Sequence, residues 1–318
     1  YSQLKGMSDL KRVVEIAAAG GHHLLVVGPP GAGKSAAIGL FPTVVTGLTR
    51  EEAIEVTRIH SLAAERGRPA VLDRRRPFRS PHHNASTEGL LGGRLPQVPG
   101  EVALAHCGIL FLDEALEFRR PVLQGLREPL ERRRIRVARA KGNYWFPAAI
   151  QLVLATNRCP CGMLGRADRP CLCSISEVDR YWRRLGGPLL DRIDLRVHVT
   201  PRPLDGLPET DSSATIAARV EAAEAFRATR RRQSRRNADL NADQAYASCA
   251  MTRAARSCFA DACRVFGLST RASLSVLRVG RTIADLAQAE QTGEDHLLEA
   301  VSYRKYGEER PLWEPDGP

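Results

Sequence analysis

Four short apolar runs stand out in the first 200 residues: HLLVVG at 23–28, GILFLDE at 108–114, QLVLAT at 151–156 and LRVHV at 195–199. None alternates apolar with polar positions, so each reads as a strand buried on both faces of a parallel sheet. Between them lie helical stretches such as REEAIEVTRIHSLAAE at 50–65. Strands and helices therefore alternate, and the class is α/β. Residues 201–213 are rich in Pro, Gly, Asp and Ser and mark a linker. Beyond it the pattern is helical: Val276, Val279, Ile283 and Leu286 recur at the three-and-four spacing of an amphipathic helix. The predicted organisation is an α/β core over 1–200, a linker over 201–213 and an α-helical domain over 214–318. The run TRRRQSRR at 229–236 reads as a solvated helix face.

The first apolar run leads directly into GPPGAGKS, a match to G-x-x-x-x-G-K-[ST] formed by Gly28, Pro29, Pro30, Gly31, Ala32, Gly33, Lys34 and Ser35. The glycines permit tight turns whose successive N–H groups can cradle phosphate oxygens. The helix that follows presents its N-terminus to the same anion. Lys34 then reaches the β and γ phosphates of ATP, and the Ser35 hydroxyl serves Mg²⁺. The second run delivers Asp113 and Glu114 at the carboxyl end of a buried strand, where open α/β sheets hold ligands. Asp113 would support the Mg²⁺ shell, and Glu114 would act on the attacking water as general base or positioning group. The third run ends in ATN and brings Asn157 beside the γ-phosphate. These elements in this order define an ATPase.

Composition narrows the setting. With 43% hydrophobic and 26% charged residues the chain is ordinary for a globular protein, and its 318 residues suffice for two domains. No apolar run approaches a membrane span and no signal peptide is visible, so the cytoplasm is the expected location. A net charge of +11 favours a polyanionic partner. The opening YSQLKG has no initiator Met, which reads as a fragment of a longer chain.

The eight cysteines do not form a secreted disulfide pattern. Cys159, Cys161, Cys171 and Cys173 make two C-x-C pairs nine residues apart, and four such thiolates can close a tetrahedral, structural Zn²⁺ site. The C-x-C spacing is tighter than the usual zinc knuckle, so unrelated thiols are the competing reading. Cys107, Cys249, Cys258 and Cys263 read as small apolar core residues.

Longer stretches carry a resemblance to a known family. AAAGGHHLLVVGPPGAGKS, LTREEAIEVTRIHSLA, RPFRSPHHNAS, PGEVALAHCGILFLDEALEF, LREPLE, NRCPCG, GPLLDRIDL and STRASLSVLRVGRTIADL resemble the signatures of the ComM/YifB group of magnesium-chelatase-like AAA+ ATPases, across nearly the whole chain. Leu116 departs from the proline more usual there. The resemblance implies an AAA+ core with a helix-2 insert within 67–100, a hairpin before sensor 1, an α-helical lid and a Lon-like domain preceding this chain. It implies that Arg192 is an arginine finger reaching a neighbouring subunit's ATP, without excluding a salt bridge to Asp191 or Asp194. It makes Arg271 the sensor-2 arginine, acting on its own or a neighbour's nucleotide. It further implies a homo-hexameric ring. The paired His82 and His83 receive no chemical assignment.

The hairpin falls on ERRRIRVARAKGNYWF at 131–146, with its turn at 141–143. Arg134, Arg136, Arg139 and Lys141 suit a phosphate backbone, and Tyr144 and Trp145 suit bases, so DNA, single-stranded or branched, is the expected partner; the competing reading is a solvated edge hairpin whose aromatics pack inward. The resemblance implies an ATP-driven DNA motor for branch migration of recombination intermediates in natural transformation. The alternative is an ATPase subunit of a chelatase-like or other remodelling machine that does not act on DNA.

Overall fold

Seven strands carry the architecture among the described residues: β1 (Leu24–Val27), β2 (Phe78–Arg79), β3 (Ile109–Leu112), β4 (Arg134–Arg139), β5 (Gly142–Pro147), β6 (Gln151–Thr156) and β7 (Leu195–His198). The computed structural model describes residues 1, 7–63, 72–93, 98–139, 142–166, 168–200, 211–229, 231–304 and 311, without the side chains of 138, 139, 142 and 143. Five strands form one parallel sheet in the order β2-β3-β6-β1-β7. Leu24 pairs with Leu195, Phe78 with Ile109, and Ile109 with Gln151. Every residue of β1, β3 and β6 is buried, which is why these runs show no polar alternation. β4 and β5 pair antiparallel as a separate ribbon.

β2 is the strand that periodicity does not reveal. Two residues are too few to carry a pattern, and they sit in an Arg- and Pro-rich stretch that reads as an insert. Their place at the sheet edge is held by Arg79, which grips Glu101 in a bidentate pair at 2.6 and 2.8 Å. The neighbouring parts of that stretch, 64–71 and 94–97, lie outside the described residues, as do residues 201–210 of the expected linker.

The chain divides into two compact units. One comprises Gly47–Thr156 and Asp179–Leu190 and contains β2 to β6. Its helix Arg50–Ala63 begins with a reciprocal cap: the Glu52 N–H donates to Thr49 Oγ1, and the Thr49 N–H donates to Glu52 Oε2. Within the same unit the hydroxyls of Thr156 and Tyr181 meet at 3.2 Å, behind the end of β6.

The other unit comprises Tyr1–Thr46, Asn157–Val178 and Asp191–Pro318 and contains β1 and β7. Here the helices Ser8–Gly20, Ser213–Thr229 and Thr270–Leu286 pack together. Val276, Val279 and Ile283 are buried as their spacing requires, and Leu286 is half-buried. The Ser269 hydroxyl starts the last of these helices by accepting the Ala272 N–H.

That unit also holds a buried polar chain. The carboxylate of Asp194 meets His22 Nδ1 at 3.3 Å and accepts the Ser275 hydroxyl at 2.7 Å. His22 Nε2 meets Thr282, Asn237 donates to both Thr282 and Asp285, and Asp285 receives Arg231 at 3.0 Å and Arg281. This corrects the reading of 229–236 as a helix face. The helix ends at Thr229, and Arg231 turns inward because the buried Asp285 requires cationic partners. Of the four outlying cysteines only Cys249 is buried; Cys107, Cys258 and Cys263 are half-exposed.

Asp194 is buried, and although burial opposes its charge, the His22 and Ser275 contacts hold its carboxyl well below the ordinary aspartate range. Its contribution is therefore fully present above pH ~4, the unfolded aspartate value, and is lost as the pH falls toward the depressed folded value. Asp194→Ala is expected to cost about 3–5 kcal/mol in urea denaturation at neutral pH, as for other broken buried pairs. That cost should shrink in the same titration carried below pH ~4.

Candidate functional site

β1 runs straight into the glycine-rich loop. Gly31 and Gly33 take φ of 79° and 75°, left-handed values that a side chain would strain. The turn opens onto the helix Lys34–Gly39, where Ser35 is exposed. Lys34 is buried, and its ammonium donates to Gly28 O at 2.7 Å, Pro29 O at 2.9 Å and Asn157 Oδ1 at 3.2 Å. The structure thus brings Lys34 and Asn157 together, two residues far apart in sequence that were both assigned to the nucleotide.

Asp113 and Glu114 follow β3 in the other unit. Asp113 is half-buried and accepts the Glu114 N–H at 3.0 Å, while Glu114 is exposed and left-handed at φ 50°. That backbone is uncommon for a glutamate and is typical of strained functional turns. The Glu114 carboxylate meets His83 Nδ1 at 3.3 Å, and the His83 ring lies 4.1 Å from that of His82. His83 is the site neighbour that sequence reasoning left unassigned. Its proximity arises from the chain between β2 and β3, which no spacing rule exposes.

Arg192 lies just before β7, between two carbonyls held by the buried guanidinium of Arg304, which donates to Ile193 O and, at 3.3 Å, to Asp191 O. The Asp194 carboxylate, one of the two salt-bridge partners considered for Arg192, is engaged by His22 and Ser275. Arg271 stands exposed in the first turn of Thr270–Leu286.

The four cysteines converge. Cys159 and Cys161 Sγ lie 3.4 Å apart, and Cys171 Sγ lies 3.6 Å from each; the four thiols fall within 4.8 Å of one another. A tetrahedral zinc with Zn–S bonds of ~2.3 Å requires sulfur–sulfur edges of about 3.8 Å, whereas a disulfide needs ~2.0 Å. The donor set fits one metal ion. Slight burial works against ionisation of Cys161, but the Met163 N–H and the neighbouring thiols outweigh it and bring that thiol down to about 7.

A second group, Glu55, His106 and Cys107, also converges but does not fit a metal. The Ala149 N–H donates to His106 Nδ1 at 3.0 Å, so in the neutral ring the proton sits on Nε2 and faces Glu55 at 3.1 Å. Coordination through Nε2 would require both ring nitrogens to be deprotonated.

In the hairpin, Ile135, Val137 and Phe146 are buried, whereas Arg134, Arg136 and Trp145 are exposed. The register pairs Arg136 with Trp145 and Val137 with Tyr144. Strand alternation therefore separates the two aromatics expected to act together: Trp145 faces outward, and Tyr144 belongs to the inner face and is half-buried. The Arg134 guanidinium caps the Trp145 ring at 4.4 Å. Arg139 ends β4, and Lys141 lies outside the described residues.

Comparison with known proteins places this combination of loop, sheet and helical unit. Residues 1–206 match the family described as magnesium chelatase, subunit ChlI, and residues 210–304 match its C-terminal family. YifB of Salmonella typhimurium is 41% identical over 307 residues, covering 94% of this chain and 59% of the relative. The competence protein ComM of Haemophilus influenzae is 39% identical over 308 residues, covering 94% of this chain and 58% of the relative. Rv2897c of Mycobacterium tuberculosis is 38% identical over 310 residues. The chain belongs to the ComM/YifB family of magnesium-chelatase-like AAA+ proteins, and it spans about three-fifths of the length of these relatives. Membership implies an ATPase with ATP and Mg²⁺ as ligands.

Lys34→Ala removes a charged donor and is expected to weaken binding of a fluorescent ATP analogue by about ten- to a hundredfold, measured by anisotropy titration. Unchanged affinity would dissociate the loop from nucleotide binding.

Proposed function

We propose that the protein is the motor portion of an ATP-driven, ring-forming machine that moves DNA strands, with branched recombination intermediates as substrate. The observation that carries this reading is the outward face of the hairpin, where Arg134 and Arg136 flank a Trp145 whose ring is already covered by a guanidinium. Cations of this kind neutralise phosphates, and an exposed indole stacks on an unpaired base. Arg139 and Lys141 are assigned to the same phosphate contact by their place in the sequence. The net charge of +11 supports a polyanionic partner. The printed name of the Haemophilus influenzae relative supports a role in competence. No helix among the described residues is long and apolar enough to cross a membrane, and we place the protein in the cytoplasm.

In this reading the residues divide the work. The N–H groups of residues 31–35 and the Lys34 ammonium hold the phosphates, and Ser35 and Asp113 hold Mg²⁺. Glu114 aligns the attacking water and takes its proton, while Asn157 fixes the water or the γ-phosphate. Arg192 of one subunit neutralises charge on the phosphoryl group bound by the next, and Arg271 does so from the helical unit. Cys159, Cys161, Cys171 and Cys173 hold a structural Zn²⁺. A finger supplied in trans requires a ring, for which we propose six copies.

The description of the matched family favours a second reading, a chelatase-like ATPase indifferent to DNA. Steady-state ATP hydrolysis with no DNA, single strands, duplex and a four-way junction at two salt concentrations separates the two. The motor reading expects stimulation that fades with salt and is lost in Arg134→Ala/Arg136→Ala, and weaker stimulation in Trp145→Ala by about 1–3 kcal/mol of lost stacking. Glu114→Gln should keep nucleotide and DNA binding while losing turnover by about a hundredfold or more. Turnover that ignores every DNA in an assembled ring would instead establish the chelatase-like reading.

A further inference from the structure

The short segment 157–162 touches the glycine-rich loop at both of its ends. At its start, Asn157 Oδ1 accepts the Lys34 ammonium at 3.2 Å. At its end, Gly162 lies against Pro30 so closely that a Cβ there would stand 2.8 Å from Pro30 Cγ and 3.1 Å from Cδ. Gly162 also takes φ 75°, so this approach is available to glycine and strained for other residues. Between the two contacts stand Cys159, fully buried, and Cys161. The sulfurs are held in turn by the backbone beyond them. The Met163 N–H points at Cys161 Sγ at 3.4 Å and the Leu164 N–H at Cys159 Sγ at 3.3 Å, an arrangement that suits metal-bound thiolates.

The residues that ligate a metal are thus the residues that set the shape of a strip braced on the phosphate loop. Cys171 and Cys173 come from the far side of the same excursion, so an ion held by all four closes it into one rigid piece. Without that ion the four sulfurs hold the two sides of the excursion together through weak thiol contacts, and fixing Asn157 and Gly162 costs more conformational entropy when nucleotide binds.

We propose that a zinc-class ion in the four-cysteine site raises the affinity of the glycine-rich loop for nucleotide, with Asn157 and Gly162 as the positioning residues that transmit its presence. This rests on the reading of the cysteines as a metal site and of 28–35 as the nucleotide site. Linkage makes the effect reciprocal: nucleotide tightens the hold on zinc by the same factor.

The test measures zinc content by mass spectrometry and the Kd of a fluorescent ADP analogue on the protein, on chelator-treated protein, and on the Cys173→Ser and Gly162→Ala variants. Circular dichroism checks that each is folded. The expected result is one zinc per chain, and a Kd raised about tenfold when zinc is removed by chelator or by Cys173→Ser. Gly162→Ala should keep its zinc yet bind nucleotide about tenfold more weakly. Saturating ADP should tighten zinc binding against a competing chelator by a similar factor in the parent protein, and by much less in Gly162→Ala.

Zinc-free, folded protein that binds nucleotide as tightly as the parent overturns the inference and leaves both underlying readings standing. Protein that binds nucleotide tightly but never contains zinc overturns the metal reading and the inference with it. Zinc-loaded protein that binds no nucleotide overturns the reading of the loop. Where Cys173→Ser does not fold, Gly162→Ala decides: zinc retained with unchanged nucleotide affinity overturns the proposal.

Discussion

An ammonium buried at the end of a hydrophobic strand must have every proton accepted, and Lys34 meets that demand with three acceptors. Two are carbonyls of its own loop, so the loop curls around the charge it presents. The third is the side chain of Asn157, contributed by a segment more than a hundred residues away. The left-handed turns at Gly31 and Gly33 lie within this curl, and the Asn157 bond joins them to a second piece of backbone. Much of what surrounds the loop can be understood as holding that second piece still: the burial of Cys159, the convergence of the four sulfurs and the close seat of Gly162 on Pro30.

The same unit uses buried charge as mortar in its helical part. Asp194, Asp285, His22 and the inward arginines Arg231 and Arg281 form hydrogen-bonded chains that join β7, the start of β1 and the helix Thr270–Leu286. Such groups are costly to bury singly and are stable together, so the network specifies one arrangement of these elements. The carbonyls on either side of Arg192 are held by the buried Arg304. A residue assigned to reach outward thus stands on a rigid base. In the other unit the division is spatially simpler: one face of a hairpin is apolar and inward, the other basic and outward, and a carboxylate leaves β3 in a strained turn beside a histidine.

Much of this was legible from residue order. Buried parallel strands are continuous apolar runs, so β1, β3, β6 and β7 could be read within a residue or two, and the loop chemistry of Gly28 to Ser35 is local by nature. The two C-x-C pairs announced a cluster before any coordinates. The hairpin's strands were also readable, but its aromatics were not assigned correctly as a pair, because adjacent residues on a strand face opposite ways and only burial says which way is in.

What tertiary structure alone decided are the meetings of residues distant in sequence and the fate of charges with no periodic pattern. β2 is two residues long and exists only because β3 offers it an edge. Arg231 turned inward, half-buried, because Asp285 lies buried beside it, although its own neighbours suggested a solvated run. His83 gained a partner in Glu114, Gly162 a seat on Pro30, and the Glu55–His106–Cys107 group lost its appearance of a metal site through one backbone N–H, that of Ala149. Local sequence determines which backbone shapes and which chemical groups are available, because those depend on a few adjacent residues. Which groups end within 3 Å of each other depends on how the sheet and helices pack, and that information is spread over the whole chain.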